Sequence, residues 1–170
     1  MRHLIVCLAF ILMARLGLTQ SEHSIKAAFL ANFVRYIDWP SSALGAGDPL
    51  VIGIIGKDPF GKQIDDLAAA KSSPTRKIQV RRINWAQIKE CNLLFIPAAE
   101  SGNYDSLSAI RNLPIVTVGE TDGFAAKYGH IGFRVDNSRI TFEINAVAAK
   151  GAGLNISSRL LQLATVVKKG

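Results

Sequence analysis

Residues 50–61 read Leu50-Val51-Ile52-Gly53-Ile54-Ile55-Gly56-Lys57-Asp58-Pro59-Phe60-Gly61, a short apolar run that breaks into a loop punctuated by glycine and proline. An apolar run of that length without polar alternation suits a strand covered on both faces, the kind found in parallel sheets. Two further runs repeat it, Asn92 to Ile96, stopped by Pro97, and Ile115 to Val118. Helical stretches separate them: about Phe60 to Ala70, a turn over Trp85 to Glu90, and Tyr104 to Arg111. Strand and helix therefore alternate. The reading is an α/β domain with a mostly parallel sheet and helices on both faces.

Upstream, Ile25, Ala28, Phe29, Phe33, Val34 and Ile37 recur at three and four, which predicts a helix from Ser24 to Trp39 with one buried face, ended by Pro40. Ile78, Val80 and Arg82 alternate with polar neighbours in the manner of an edge strand. Downstream the pattern changes. Ile131 to Val135 and Arg139 to Ile144 flank Asp136-Asn137-Ser138, turn chemistry for an antiparallel hairpin. Ala146 to Ala152 predicts a short helix ending at Gly153, and Ser157 or Ser158 caps a final helix whose Leu160, Leu161, Ala164 and Val167 share one side. No repeat or low-complexity linker divides the chain.

Met1-Arg2-His3 precedes an unbroken apolar run from Leu4 to Met13, a basic start and a short hydrophobic core that together read as an export signal. The run is too short to span a bilayer, which takes about 20 apolar residues. A buried N-terminal strand or helix is the competing reading. Gly17 and Thr19 supply small residues ahead of a cut, so the expectation is a leader over residues 1–19 and one soluble domain over 20–170, starting near Gln20 or Ser21. Loss of Arg2 and Arg15 leaves 18 basic against 13 acidic residues and lowers the net charge from +7 to +5. Cys7 leaves with the leader. Cys91 then stands alone at the head of a strand, where a buried apolar role is the simplest reading and no intramolecular disulfide is available.

Catalytic equipment is sparse. Beyond the leader the histidines are His23 and His130, and the chain has no His-Glu-x-x-His, no calcium-loop spacing, no Gly-x-Ser-x-Gly and no Walker lysine motif. His130 follows Gly129 at a strand entrance and reads as an ordinary turn or strand-edge residue. The Gly53 to Gly61 loop invites a phosphate-binding reading, but its spacing matches neither nucleotide fingerprint and Pro59 has no amide to donate, so it reads as a turn. Lys71, Arg76, Lys77, Arg81 and Arg82 form a loose basic cluster without interleaved aromatics, which reads as a solvated face; docking on an acidic protein or membrane surface is the alternative, and nucleic acid is not expected. No cofactor or metal is expected.

Arg139-Ile140-Thr141-Phe142-Glu143-Ile144-Asn145 is more informative, because alternation sends Ile140, Phe142 and Ile144 to one side and Thr141, Glu143 and Asn145 to the other. The short Gly151 to Ser158 connection returns the last helix beside this strand. Glu143, Asn145, Ser157 and Arg159 are therefore candidate partner-binding residues. The competing reading is structural, with Arg159 as the ion-pair partner of Glu143.

Several short stretches in order resemble the YfiR/HmsC-like family of exported bacterial proteins. They are Lys26-Ala27-Ala28-Phe29-Leu30 with Asn32-Phe33 and Trp39-Pro40, Ile54 to Gly61, Cys91 to Ile96, Thr117 to Phe124, Phe142-Glu143-Ile144-Asn145, and Ala152 to Leu161. The resemblance implies a single domain with a central mixed six-stranded sheet, the antiparallel pair being C-terminal. It also implies a non-enzymatic periplasmic repressor, a homodimer, that binds the external domain of an inner-membrane diguanylate cyclase and restrains cyclic-di-GMP signalling and biofilm formation. The resemblance would also imply disulfide control, but beyond the leader Cys91 has no second cysteine to pair with. A periplasmic module for a small solute or a cell-wall fragment is the alternative function; an exported enzyme ranks below both.

Overall fold

In a computed structural model, which describes residues 22–137 and 139–166, the apolar runs are inner strands of one sheet. The leader, its cut site, Ser138 and Val167 lie outside the described residues. Strand β1 is Ile37–Asp38, β2 Leu50–Ile55, β3 Ile78–Ile83, β4 Leu93–Ile96, β5 Val116–Gly119, β6 Ile131–Asp136, β7 Arg139–Ile144, β8 Asn155–Ile156 and β9 Thr165–Val166. Helix α1 covers residues 22–33, α2 Lys62–Lys71, α3 Phe124–Lys127, α4 Ala146–Gly151 and α5 Ser158–Leu163, with 3-10 segments at Trp85–Glu90 and Ala98–Ile110.

The large sheet runs β3-β2-β4-β5-β6-β7-β9. The six strands β2 to β7 carry it, and the two-residue β9 adds a seventh beside β7. Neighbours from β3 to β6 are parallel, β6 and β7 are antiparallel, and β9 is parallel to β7. This is the expected mixed sheet with its antiparallel pair towards the C-terminus, in one domain.

Side-chain alternation divides the core in two. Ile52, Ile54, Leu93, Phe95, Val116, Val118, Ile131, Phe133, Phe142 and Ile144 face α1, α2, α4 and α5. Val51, Ile55, Leu94 and Ile96 face the 3-10 segments and α3. On that second side the Phe124 ring lies over two backbones with no room for a side chain, since a Cβ at Gly119 or Gly129 would come within 2.4 Å or 2.3 Å of it.

Three elements differ from the sequence expectation. The final helix stops at Leu163 and does not reach Ala164, which is extended because the chain leaves the helix to pair Thr165–Val166 with β7. The first helix ends near Phe33 rather than Trp39: Arg35 and Tyr36 donate backbone hydrogen bonds to Asn32 and Phe33, closing a turn. Ile37 and Asp38 then pair antiparallel with Ile156 and Asn155. Ile37 keeps the helical spacing and is buried either way, so the distant β8 decides its conformation. The expected helix at Tyr104 to Arg111 is instead the end of the longer 3-10 segment, and its buried Tyr104, Leu107 and Ile110 follow the three-residue period of that helix. No helix among the described residues is long and apolar enough to cross a membrane.

Candidate functional site

The β6–β7 hairpin turns at Asn137, held at φ 46°, a left-handed conformation that asparagine tolerates better than most residues. Its register sets Glu143 opposite Gly132 and Thr141 opposite Arg134. Glu143 and Arg134 are thus diagonal neighbours on one face, and the guanidinium donates to the Glu143 carboxylate at 2.5 Å. Glu143 is 9% exposed, whereas the Arg134 side chain is half exposed. The carboxylate beside Arg134 raises the guanidinium above its ordinary pKa. Arg159 is therefore not the partner of Glu143. The hairpin register places a closer cation on the adjacent strand.

Asn145 follows β7 and caps α4. Its Oδ1 accepts from the Ala148 amide at 2.9 Å and its Nδ2 donates to the Ala125 carbonyl at 2.9 Å, tying α3 to the β7–α4 junction. Ser157 caps α5, its Oγ accepting from the Leu160 amide at 3.4 Å, while its own amide donates to Tyr36. Arg159 is exposed and forms no ion pair among the described residues. One turn further along α5, Leu163 is 71% exposed. Residues four apart share a helix face, so Arg159 and Leu163 present an arginine beside an uncovered apolar side chain.

The four sequence candidates form no bond to one another. Glu143 and Asn145 lie on the face of β7 opposite Phe142, while Ser157 and Arg159 belong to α5, whose Leu160 packs into the α1 side. Thr165, following α5, pairs with Glu143, which sets β9 beside β7. Alternation alone did not reveal the role of Arg134; combined with the hairpin register it would have.

The carboxyl ends of the parallel strands, where open α/β sheets commonly bind ligands, are spanned by charge. Lys26 of α1, buried, donates to Glu22 at 2.5 Å and to Glu120 at 2.8 Å. Burial opposes its charge, but the two carboxylates more than offset this and its pKa is raised. Glu120 also accepts from the Ala98 amide. Glu100 accepts from the Trp85 indole at 2.8 Å and lies close against Gly56, leaving no room for a Cβ there.

Part of the basic cluster is not free. Arg82 reaches Asp58, Asp65 and the Gly61 carbonyl, and the hydrogen bond from Arg82 lowers the Asp65 pKa. Arg76 donates to the carbonyls of Gly45 and Asp48. The Gly53 to Gly61 loop is the turn expected, with the Asp58 carboxylate accepting from the Phe60 amide at 2.7 Å.

Cys91 is buried as expected, and desolvation pushes its thiol up to about 12. His130 departs from the turn or strand-edge reading. It is 4% exposed, between β5 and β6, and its Nδ1 accepts from the Thr117 amide at 3.1 Å. Burial lowers its pKa to about 4 against a weaker opposing hydrogen bond to the Ala148 backbone, so the ring is neutral near pH 7. Among the described residues no group of three or more His, Cys, Asp or Glu is placed to hold a metal.

Comparisons with known proteins agree with this architecture. The model of the YfiR/HmsC-like family matches residues 23–165. A comparison with curated proteins finds no match. Among solved structures, the ABC domain in complex with L-Trp from Streptococcus pneumonia is similar, with a TM-score of 0.56 and 11% sequence identity over 84% of this chain. The match covers 60% of that protein's chain, and at this identity it is a likeness of fold alone.

Proposed function

We propose, because the chain belongs to the YfiR/HmsC-like family, that it is an exported regulator that binds the external domain of an inner-membrane diguanylate cyclase and represses cyclic-di-GMP signalling and biofilm formation. The family match over residues 23–165 carries this reading, and it supports a periplasmic regulator of diguanylate cyclases at the level of the family. In the proposal the leader over residues 1–19 is removed, the domain over 20–170 acts without catalysis and as a homodimer, and Glu143, Asn145, Ser157 and Arg159 form the partner-binding edge. Arg159 is the contact. Arginine is enriched among the residues that anchor protein interfaces, and the exposed Leu163 beside it adds apolar area. Ser157 and Asn145 position their helices, and Glu143 with Arg134 holds the hairpin against that edge.

A periplasmic solute-binding module is the second reading, favoured by the fold likeness to a protein solved with L-Trp. Against it, the strand ends that would serve as the cleft are spanned by Lys26, Glu120 and Glu100. Affinity capture from solubilised envelope separates the two, with the parent domain and Arg159→Glu as baits. Recovery of a membrane diguanylate cyclase by the parent and not by the variant is expected, together with raised cyclic-di-GMP in cells carrying the variant. Recovery of no cyclase by either bait would favour the solute reading.

A further inference from the structure

A cavity of about 290 Å³ opens between the end of the Ala98–Ile110 segment, α3 and the β7–α4 junction, a size at the small end of ligand pockets. Thr117, His130 and Asn145 belong to its lining. Each is buried, and their mutual and backbone hydrogen bonds fix them in place. They form a rigid polar floor. Leu107 and Ile110 from one side and Ala125 from the other contribute apolar wall.

The rim is different. Arg111, Asn112 and Lys127 also line the cavity and are exposed. Among the described residues these three side chains have no ion pair and no hydrogen bond. No aspartate or glutamate lines the cavity. Two cations and an amide donor without an opposing carboxylate favour an anion, and a ligand ammonium would have no counter-charge there. The apolar wall suits a short hydrocarbon body.

We infer that this cavity binds a small organic carboxylate, its carboxylate held by Arg111, Lys127 and Asn112 and its apolar body between Leu107, Ile110 and Ala125. The missing counter-charge disfavours amines relative to carboxylates. Asn145 and the Ala125 carbonyl link the cavity to the junction from which Glu143 and α4 depart, so an occupant adds contacts across that joint. The inference takes up the small-ligand possibility and is independent of the cyclase proposal: benzoate binding without cyclase capture would leave it standing, and the reverse would remove it alone.

The test titrates the folded domain with benzoate, benzamide and benzylamine, following the amide signals of Thr117 and His130 by NMR. Benzoate is expected to bind with a Kd of about 1 mM or tighter, shifting those signals, while the neutral and cationic analogues bind at least roughly tenfold more weakly. Arg111→Gln and Lys127→Gln, both at exposed positions, should each weaken benzoate by several-fold to roughly tenfold. Lys150→Gln, an exposed control outside the lining, should leave it unchanged. Benzamide binding as tightly as benzoate, equal affinity in the two rim variants, or no shift at about 10 mM benzoate would overturn the inference.

Discussion

On one face of the sheet Phe29 and Phe33 of the three-turn α1 contact each other and the rings of Phe133 and Phe142, with centroids 5.1 to 6.1 Å apart. The other is covered by 3-10 turns and the four-residue α3, and it holds His130, Thr117 and Asn145. Dense aromatic packing resists any change of volume. A thinner cover with fixed polar groups leaves a cavity and a titratable ring. The densest aromatic packing is therefore on the α1 face, and the buried titratable imidazole on the α3 face.

The hardest test of that division is Phe33→Ala. Phe33 is fully buried, and its loss should cost about 3–5 kcal/mol in denaturant unfolding. A cost under about 1 kcal/mol would mean that the aromatic cluster is not the stabilising centre.

Next comes acid. His130 has its folded pKa lowered from 6.5 to about 4, so between those values the unfolded chain binds the extra proton and the folded chain does not. Stability from this group is complete above about pH 6.5 and is lost as pH falls towards 4, by up to about 3 kcal/mol. Unfolding midpoints measured across that window should show the slope in the parent and not in His130→Asn. The same slope in both proteins would assign it to other groups.

Cys91 gives a smaller effect. Its Sγ would lie 3.0 Å from a Cβ at Gly53, so thiol and glycine pack directly. Cys91→Ala should cost about 1 kcal/mol or somewhat more, and the parent thiol should resist alkylation until the domain opens. Rapid labelling of the folded protein would contradict its burial.

The smallest expected change in stability is at the exposed edge. Arg159→Glu should alter unfolding by no more than about 0.5 kcal/mol, even if partner capture is lost. A larger loss would make Arg159 part of the fold and withdraw it as a contact residue.

Legibility in the sequence follows the same division. The α1 face was largely readable, because Ile52, Ile54, Leu93 and Phe95 sit in runs whose burial needs no knowledge of distant residues, and Phe29 and Phe33 keep helical spacing. On the α3 face the buried strand residues were equally readable, but the cavity was not. That cavity draws lining from the Ala98–Ile110 segment, β5, α3, the β6 entrance and the β7–α4 junction, and no local pattern records that these meet.

By itself the sequence determined the inner strands, the hairpin, a serine cap at Ser157 or Ser158 and the burial of Cys91. These follow from periodicity, turn chemistry and capping, whose physics extends over a few residues. Only the tertiary structure decided that Ile37–Asp38 leaves the helix to pair with Asn155–Ile156, that Glu143 takes Arg134 rather than Arg159, and that His130 is enclosed against Thr117. Each of those outcomes depends on which distant segments come within hydrogen-bonding reach, and side-chain alternation along one strand carries no information about that distance.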